Sequence, residues 1–370
     1  MTLKQAVREE ARRLGFALAG VTTPEPPAHI TTYEGWLAAG HHADMHYLAN
    51  ERACARRADP RLILPECQSI LVLAIPYSPP LPPHALSARE KGIGMRASGK
   101  IAAYAWGQDY HLVIPPKLQA LVEFIEAKAG RPILHRYYTD TGPVLERDLA
   151  QRAGLGWIGK NTCLIHPKGG SYFFLAEILL DLQLAPDAPF QADYCGTCTR
   201  CIQACPTHCI LPNRTLDARR CLSYLTIENK GDIPPALRPK LDDWVFGCDI
   251  CQTVCPWNRF ALRDVDASFA PRPATAQPDL LSALALSPAD FNRTFKGTPL
   301  ERAKRRGYLR NVAVALGNVA GAEALPALRI ALNDPEPLVR THAAWAITQI
   351  EAKQPLPDET PTPLHLSQSP

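Results

Sequence analysis

The chain has 370 residues, enough for two or three domains of ordinary size. Its 40 Lys and Arg nearly balance 36 Asp and Glu, which excludes a polyelectrolyte drawn wholesale onto nucleic acid or membrane. The longest aliphatic run, Ile70 to Ile75, is far below the ~18 apolar residues of a membrane span, and residues 1–14 mix charged and apolar positions at helical spacing instead of forming an apolar leader. A cytoplasmic protein that does not associate with membranes is therefore expected, and in that reducing compartment its twelve cysteines are poor candidates for disulfides.

In chain order, residues 1–14 read as an amphipathic helix and 69–77 (SILVLAIPY) as a buried strand ended by the proline-rich loop 78–84. Residues 109–130 carry a helix that stops at Gly130, 131–139 a strand, Asp140-Thr141-Gly142-Pro143 a turn, and 144–154 a helix closed by Gly154. Residues 161–181 read as a hairpin around Pro167-Lys168-Gly169-Gly170. The expectation for 1–190 is an α/β or α+β domain. Residues 191–268 form a second, cysteine-rich domain with too little apolar content to fold without metal. After a Pro/Ala-rich connection (270–290), residues 309–318 and 339–348 resemble each other at an offset of thirty, which predicts a helical-repeat module over 269–352. The proline-rich end, 353–370, reads as a disordered tail.

Nine of the twelve cysteines fall within 195–255, and metal is the default reading. Cys195-x2-Cys198-x2-Cys201-x3-Cys205-Pro206 matches the bacterial ferredoxin run, in which three thiolates hold one [4Fe–4S] cube and the fourth reaches the other. Cys248-x2-Cys251-x3-Cys255-Pro256 is a shortened partner run. Cys255 then completes the first cube, while Cys205, Cys248 and Cys251 join the second. The eighth ligand is Cys209 or Cys221. We choose Cys221, because Cys209 is tethered four residues from Cys205 whereas Cys221 lies in a connection free to fold onto the cube. Zinc knuckles would leave Cys201, Cys205 and Cys255 without a use, and the C-x3-C-x2-C pattern of radical S-adenosylmethionine enzymes is absent. Fully ligated cubes carry electrons, so the chemistry must lie elsewhere.

The first domain offers little by motif. Gly154, Gly156 and Gly159 mimic a dinucleotide fingerprint but follow a helix. Asp109-Tyr110-His111 begins like one cobalamin motif, yet Ile114 occupies its glycine position. Asp140-Thr141-Gly142 looks like an aspartic-protease loop without a second copy. What remains is Asp140 at the end of a predicted strand, where open α/β sheets place ligands; a lone aspartate there also fits a capping role.

Six long segments nevertheless resemble one family: 55–66 (ARRADPRLILPE), 104–111 (YAWGQDYH), 138–161 (YTDTGPVLERDLAQRAGLGWIGKN), 170–181, 217–228 and 247–259 (GCDICQTVCPWNR) are similar to the tRNA epoxyqueuosine reductases. The 309–350 segment is similar to that family's HEAT-like module. The resemblance implies base-off cobalamin held between a cobalamin-binding catalytic domain and two [4Fe–4S] clusters fed by an external electron donor, as in the reductive dehalogenases. It implies reduction of epoxyqueuosine to queuosine at the wobble position of tRNA, by a monomer. It makes Asp140 the proton donor, on the view that a buried carboxylate facing an apolar corrin is raised in pKa. It carries Arg57, Arg147, Lys160, Asn161, Ser223 and Asp249 over to the cofactor pocket. Cys209 departs from the family, which usually has a small residue there, and Ala102 and Ala103 replace more polar residues.

An RNA partner has a second basis in the sequence. Residues 293–310 hold Arg293, Lys296, Arg302, Lys304, Arg305, Arg306 and Arg310 against Glu301 alone, and Arg302, Lys304, Arg305, Arg306 and Arg310 are the candidate phosphate contacts. Two other classes stay open on the residues: a ferredoxin-like electron carrier for a separate partner, separated by whether corrin binds, and a dehalogenase-like enzyme for a small organohalide, which the basic segment disfavours.

Overall fold

The computed structural model describes residues 1–77, 97–263 and 265–353; the proline-rich loop 78–84 and the tail from 354 lie outside the described residues. Thr2 opens helix α1 (Leu3–Arg13) with a capping box to Gln5, and strand β1 (Leu18–Thr22) follows. Helices α2 (Ile30–Ala38) and α3 (Glu51–Ala58) precede strand β2 (Ser69–Pro76) and the two-residue β3 (Lys100–Ile101). Asp109 caps the long helix α4 (Tyr110–Ala129), which ends where Gly130 turns left-handed. Strand β4 (His135–Tyr138), helix α5 (Glu146–Arg152), the short pair β5 (Trp157–Ile158) and β6 (Leu164–Ile165), and strand β7 (Phe173–Leu180) complete this part.

The main sheet runs β1-β2-β7-β4 and every pairing in it is antiparallel. This corrects the expectation of an open α/β sheet with ligands at a crossover: the domain is α+β, and Asp140 follows an edge strand. Strand β2 is apolar throughout because both faces are covered. Leu71, Leu73 and Ile75 pack with Leu118, Leu121 and Ile125 of α4, while Ile70, Val72 and Ala74 pack with Leu149 and Ala150 of α5. The expected hairpin is half right. His166 and Gly170 close its turn, but β6 pairs with β5, and β7 with β2 and β4.

The cysteine-rich part contributes α6 (Arg200–Ala204), α7 (Leu222–Ile227), β8 (Trp244–Phe246) and α8 (Ile250–Thr253). It is not a bead between two others: β3 pairs in parallel with β8, threading residue 100 into it. Six helices follow, α9 (Pro273–Ala276), α10 (Leu280–Leu284), α11 (Pro288–Phe295), α12 (Lys304–Val319), α13 (Leu325–Ala331) and α14 (Pro337–Ala352). The segment read as a plain connection, 270–290, thus folds, and Leu280 and Leu284 join the helical core. That core also takes in Ile101, Ala105, Val245 and Phe246, so no clean boundary falls at residue 268. The two similar segments lie on α12 and α14, which touch so closely that a Cβ on Gly317 would stand 2.8 Å from the Ala346 backbone.

Candidate active site and cluster centres

Asp140 sits in the loop after β4 with φ of 60°, a left-handed conformation that aspartate tolerates better than most residues. Gly142 keeps the loop against β4, since a Cβ there would stand 2.5 Å from the Tyr138 ring. The Asp140 side chain is 65% exposed, which corrects the expectation of a carboxylate buried by the chain itself. Its surroundings come from two elements, the start of α4 and the start of α5. The Tyr110 hydroxyl, at the start of α4, donates to Asp140 Oδ2 at 2.6 Å. His111 Nε2 stands 3.7 Å from the same oxygen, while its Nδ1 meets Asp109 Oδ1 at 2.8 Å. The Asp140 amide donates to Glu146 Oε1 of α5 at 2.6 Å.

These contacts set protonation. Burial, with the Asp140 charge beside it, pushes Tyr110 far above the usual phenol range, so it remains a donor. The hydrogen bond to Asp109 raises His111. Burial, with help from the Asp140 charge, lifts Glu146 to about 7, and burial next to Glu146 and Asp140 raises Glu177 of β7 well above the carboxylate range. Both Glu177 oxygens are buried without a hydrogen-bond partner among the described residues. The Asp140 charge also acts on Tyr47 and on Arg302, which lies just before α12. Sequence reasoning missed Tyr110, His111, Glu146 and Glu177; a lone carboxylate inside the apolar strand FFLAEILL was the available signal for the last.

The cysteines assemble in two sets. Cys195, Cys198, Cys201 and Cys255 line one cavity together with Lys160, Asn161, Arg200, Tyr194 and Trp257. The Trp157 indole N–H donates to Cys195 Sγ at 3.4 Å. An all-thiolate set of four around one cavity fits a [4Fe–4S] cube. Cys205 and Cys209 form a buried cluster with Ile210 against which Cys201, Cys221 and Cys251 pack, and the charges of Cys205 and Cys221 act on Cys248. Both candidates for the eighth ligand are therefore at hand, with Cys209 Sγ only 3.5 Å from Cys205 Sγ, so the tether does not by itself remove Cys209. Donors separate them. The amides of Ser223 and Tyr224 point at the Cys221 sulfur, and those of Thr207 and Cys209 at Cys205, as suits thiolates. Cys163, outside the two runs, hydrogen-bonds with Cys251 and carried no signal in spacing.

The carried-over pocket residues divide. Arg57 is buried, lies 5.5 Å over the Tyr33 ring, and leaves Nη1 without a hydrogen-bond partner among the described residues. Asp249 is buried, accepts from the Ala103 amide at 2.7 Å, and is raised to about 7 by burial. Asn161 donates to the Cys251 carbonyl at 3.3 Å, and Ser223 stands beside Cys221 on α7. Arg147 is exposed on α5, its charge acting on Glu146 and Cys163. Lys160 instead donates to the Gly196 and Cys198 carbonyls at 2.7 and 3.0 Å, which assigns it to the first cysteine loop. Ala102 and Ala103 are fully buried, each in an apolar cluster of side chains.

The basic segment is not one patch. Arg310 is completely buried and donates to the carbonyls of Asn229, Gly231 and Leu225, so it is a structural clamp and no phosphate contact. Arg305 is largely covered, pairing with Asp334 at 2.7 Å and with the Leu286 carbonyl. Arg302 is exposed but pairs with Glu228 at 2.8 Å, while Lys304 and Arg306 remain on the surface. Among the described residues no helix is long and apolar enough to cross a membrane.

This arrangement has close counterparts. Residues 194–258 match the family described as 4Fe-4S double cluster binding domain, and residues 57–141 the one described as epoxyqueuosine reductase QueG, DUF1730. An epoxyqueuosine reductase of Xanthomonas campestris pv. campestris is 42% identical over 344 residues, covering 93% of this chain and 95% of that protein. A crystal structure of an epoxyqueuosine reductase with an epoxyqueuosine-modified tRNA-Tyr stem loop superposes with a TM-score of 0.85 at 33% identity, over 94% of this chain and 90% of that one. The Bacillus subtilis epoxyqueuosine reductase, solved with its catalytic loop swung out of the active site, gives 0.83 at 32% identity over the same shares, 94% and 90%. At this identity over almost its whole length, and with the cysteine sets and the Asp140 loop in place, the chain belongs to the epoxyqueuosine reductase family.

Proposed function

We propose that this protein reduces epoxyqueuosine at the wobble position of tRNA to queuosine, with cobalamin and two [4Fe–4S] clusters as its redox groups. The observation that carries the reading is Asp140, hydrogen-bonded by Tyr110 and with His111 Nε2 3.7 Å away. Removing the epoxide oxygen as water takes two electrons and two protons. Cobalamin and the cubes, when bound, supply the one-electron chemistry that no side chain has. Arg57, Arg147, Asn161, Ser223 and Asp249 are the residues that would hold the corrin; the unpaired buried Nη1 of Arg57 fits a partner that is an amide or carboxylate oxygen.

The chain's own part is to manage protons. Tyr110 stays a phenol, so its hydrogen always points at Oδ2 of Asp140 and leaves Oδ1 to carry the proton that the opening epoxide takes. His111, whose proton affinity is raised by its hydrogen bond to Asp109, has Nε2 3.7 Å from Asp140 Oδ2 and is placed to return a proton to that carboxylate for the second transfer. Lys304, Arg306 and Arg302, exposed at the surface, would contact tRNA phosphates and fix its position while the unpaired base is splayed toward Asp140.

Replacing Asp140 with Asn tests this. Asp140→Asn should bind cobalamin and retain about eight irons, as two [4Fe–4S] cubes require, yet form no queuosine from epoxyqueuosine-bearing tRNA. Turnover at the wild-type rate removes Asp140 as the acid.

A further inference from the structure

The two cysteine sets differ in depth. Cys205 is 8% exposed, whereas Cys195 and Cys198 sit on a loop whose Gly196, Thr197 and Thr199 face solvent, with Cys201 following on α6. Beside that loop is an apolar face that nothing described so far uses. Tyr194 is 49% and Phe260 40% exposed, with Trp257 between them at ring separations of 5.5 and 6.0 Å. The Trp257 indole is fixed to the Tyr194 carbonyl at 3.2 Å, so the rings are pre-organised. Trp257 and Tyr194 line the first cluster cavity itself.

The rim is basic. Arg200 borders the same cavity, and the Arg259 guanidinium lies 4.5 Å over the Phe260 ring. Both are exposed and neither has an ion-pair partner among the described residues, while the acidic residue of this loop, Asp193, is paired with Arg214. Rigid aromatics ringed by arginine are the composition of a binding hot spot, and an excess of one charge steers a partner of the other. The residues that surround Asp140 are a different group.

We propose that the Tyr194–Trp257–Phe260 face, rimmed by Arg200 and Arg259, is the docking site of a small acidic one-electron carrier protein. This rests on the double-cluster reading. In each encounter the carrier is oxidised by one electron and the cube held by Cys195, Cys198, Cys201 and Cys255 is reduced by one. No bond is made or broken at the surface, and two encounters supply one turnover. The interface belongs with the small, transient ones of redox partners, so affinity is modest and strongly dependent on salt.

The test uses anaerobically prepared holoprotein and a plant-type [2Fe–2S] ferredoxin as probe. Titration calorimetry at low salt should show binding that fades as salt rises. Arg259→Glu and Phe260→Ser should each weaken it, and the two together should weaken it at least about tenfold, with iron content and dithionite-driven queuosine formation at wild-type levels. Unchanged ferredoxin affinity in the double variant overturns the proposal. So does loss of tRNA binding in the same variant, which would give the face to RNA, or a wild-type dimer that Phe260→Ser dissolves, which would give it to a second copy. Failure of dithionite to drive queuosine formation in the wild type would remove the proposed activity instead, and the calorimetry would still report on the docking face.

Discussion

Asp140, Tyr110 and His111 form a unit in which the direction of each hydrogen matters more than the charge. Asp140 is legible in the sequence because its turn is short and ends a strand. Its partners are not, because the start of α4 reaches it from thirty residues away. The hydrogen bond to Asp109 raises His111 from its ordinary value, with Asp140, Glu146 and Arg302 the other charges that interact with it. A group so raised keeps its proton to higher pH, so turnover should hold through the ordinary imidazole range and fall only as pH rises through the raised value. His111→Gln should abolish that limb and lower kcat by at least about tenfold, with cobalamin binding intact; a pH profile like the wild type's would remove the relay. The eighth cluster ligand is a second case. Spacing left Cys209 and Cys221 open, and only the folded chain shows amides aimed at Cys221 and Cys205. Cys221→Ala should lose about four irons, one cube's content, and Cys209→Ala none, measured as iron and acid-labile sulfide. The opposite result reverses the assignment.

Helix α12 shows where a charge run misleads. Read along the chain, Arg302 to Arg310 is a single basic stretch, but a period of 3.6 residues distributes it around the helix and its approach. Arg310 turns into the core and Arg305 toward Asp334, leaving Lys304 and Arg306 outside. Reversing Lys304 and Arg306 to Glu should therefore weaken tRNA binding and flatten the slope of log K against log salt by about 0.7–0.9 for each phosphate no longer neutralised. Arg310→Leu should leave that slope unchanged and destabilise the fold by about 3 kcal/mol or more, because it strands three buried carbonyls. The main elements were readable where periodicity was strong: α1, β2, α4 and α5 fall close to their expected places. Strand partners were not, since β7 carries the same apolar run whether it pairs with β6 or between β2 and β4.

Taken whole, the molecule is more interwoven than a linear reading of its domains. Composition separates 1–190, 191–268 and 269–352, but β3 crosses from the first part to pair with β8, and α12 packs on β8 and α7. Such long-range pairing has no local signature in sequence. Charges from distant parts of the chain meet as a result: Asp140 and Asp249 both act on Tyr104, and Asp140 and Arg302 both act on Tyr47. The proposed division of labour places electron entry at the exposed cysteine loop and proton delivery at Asp140, with the corrin between. The most direct check is nucleoside mass spectrometry on epoxyqueuosine-bearing tRNA incubated anaerobically with the iron-loaded protein and dithionite, with and without cobalamin. Queuosine should appear, and only when cobalamin is present; epoxyqueuosine left unreacted with both cofactors bound, or queuosine formed without the corrin, would contradict it.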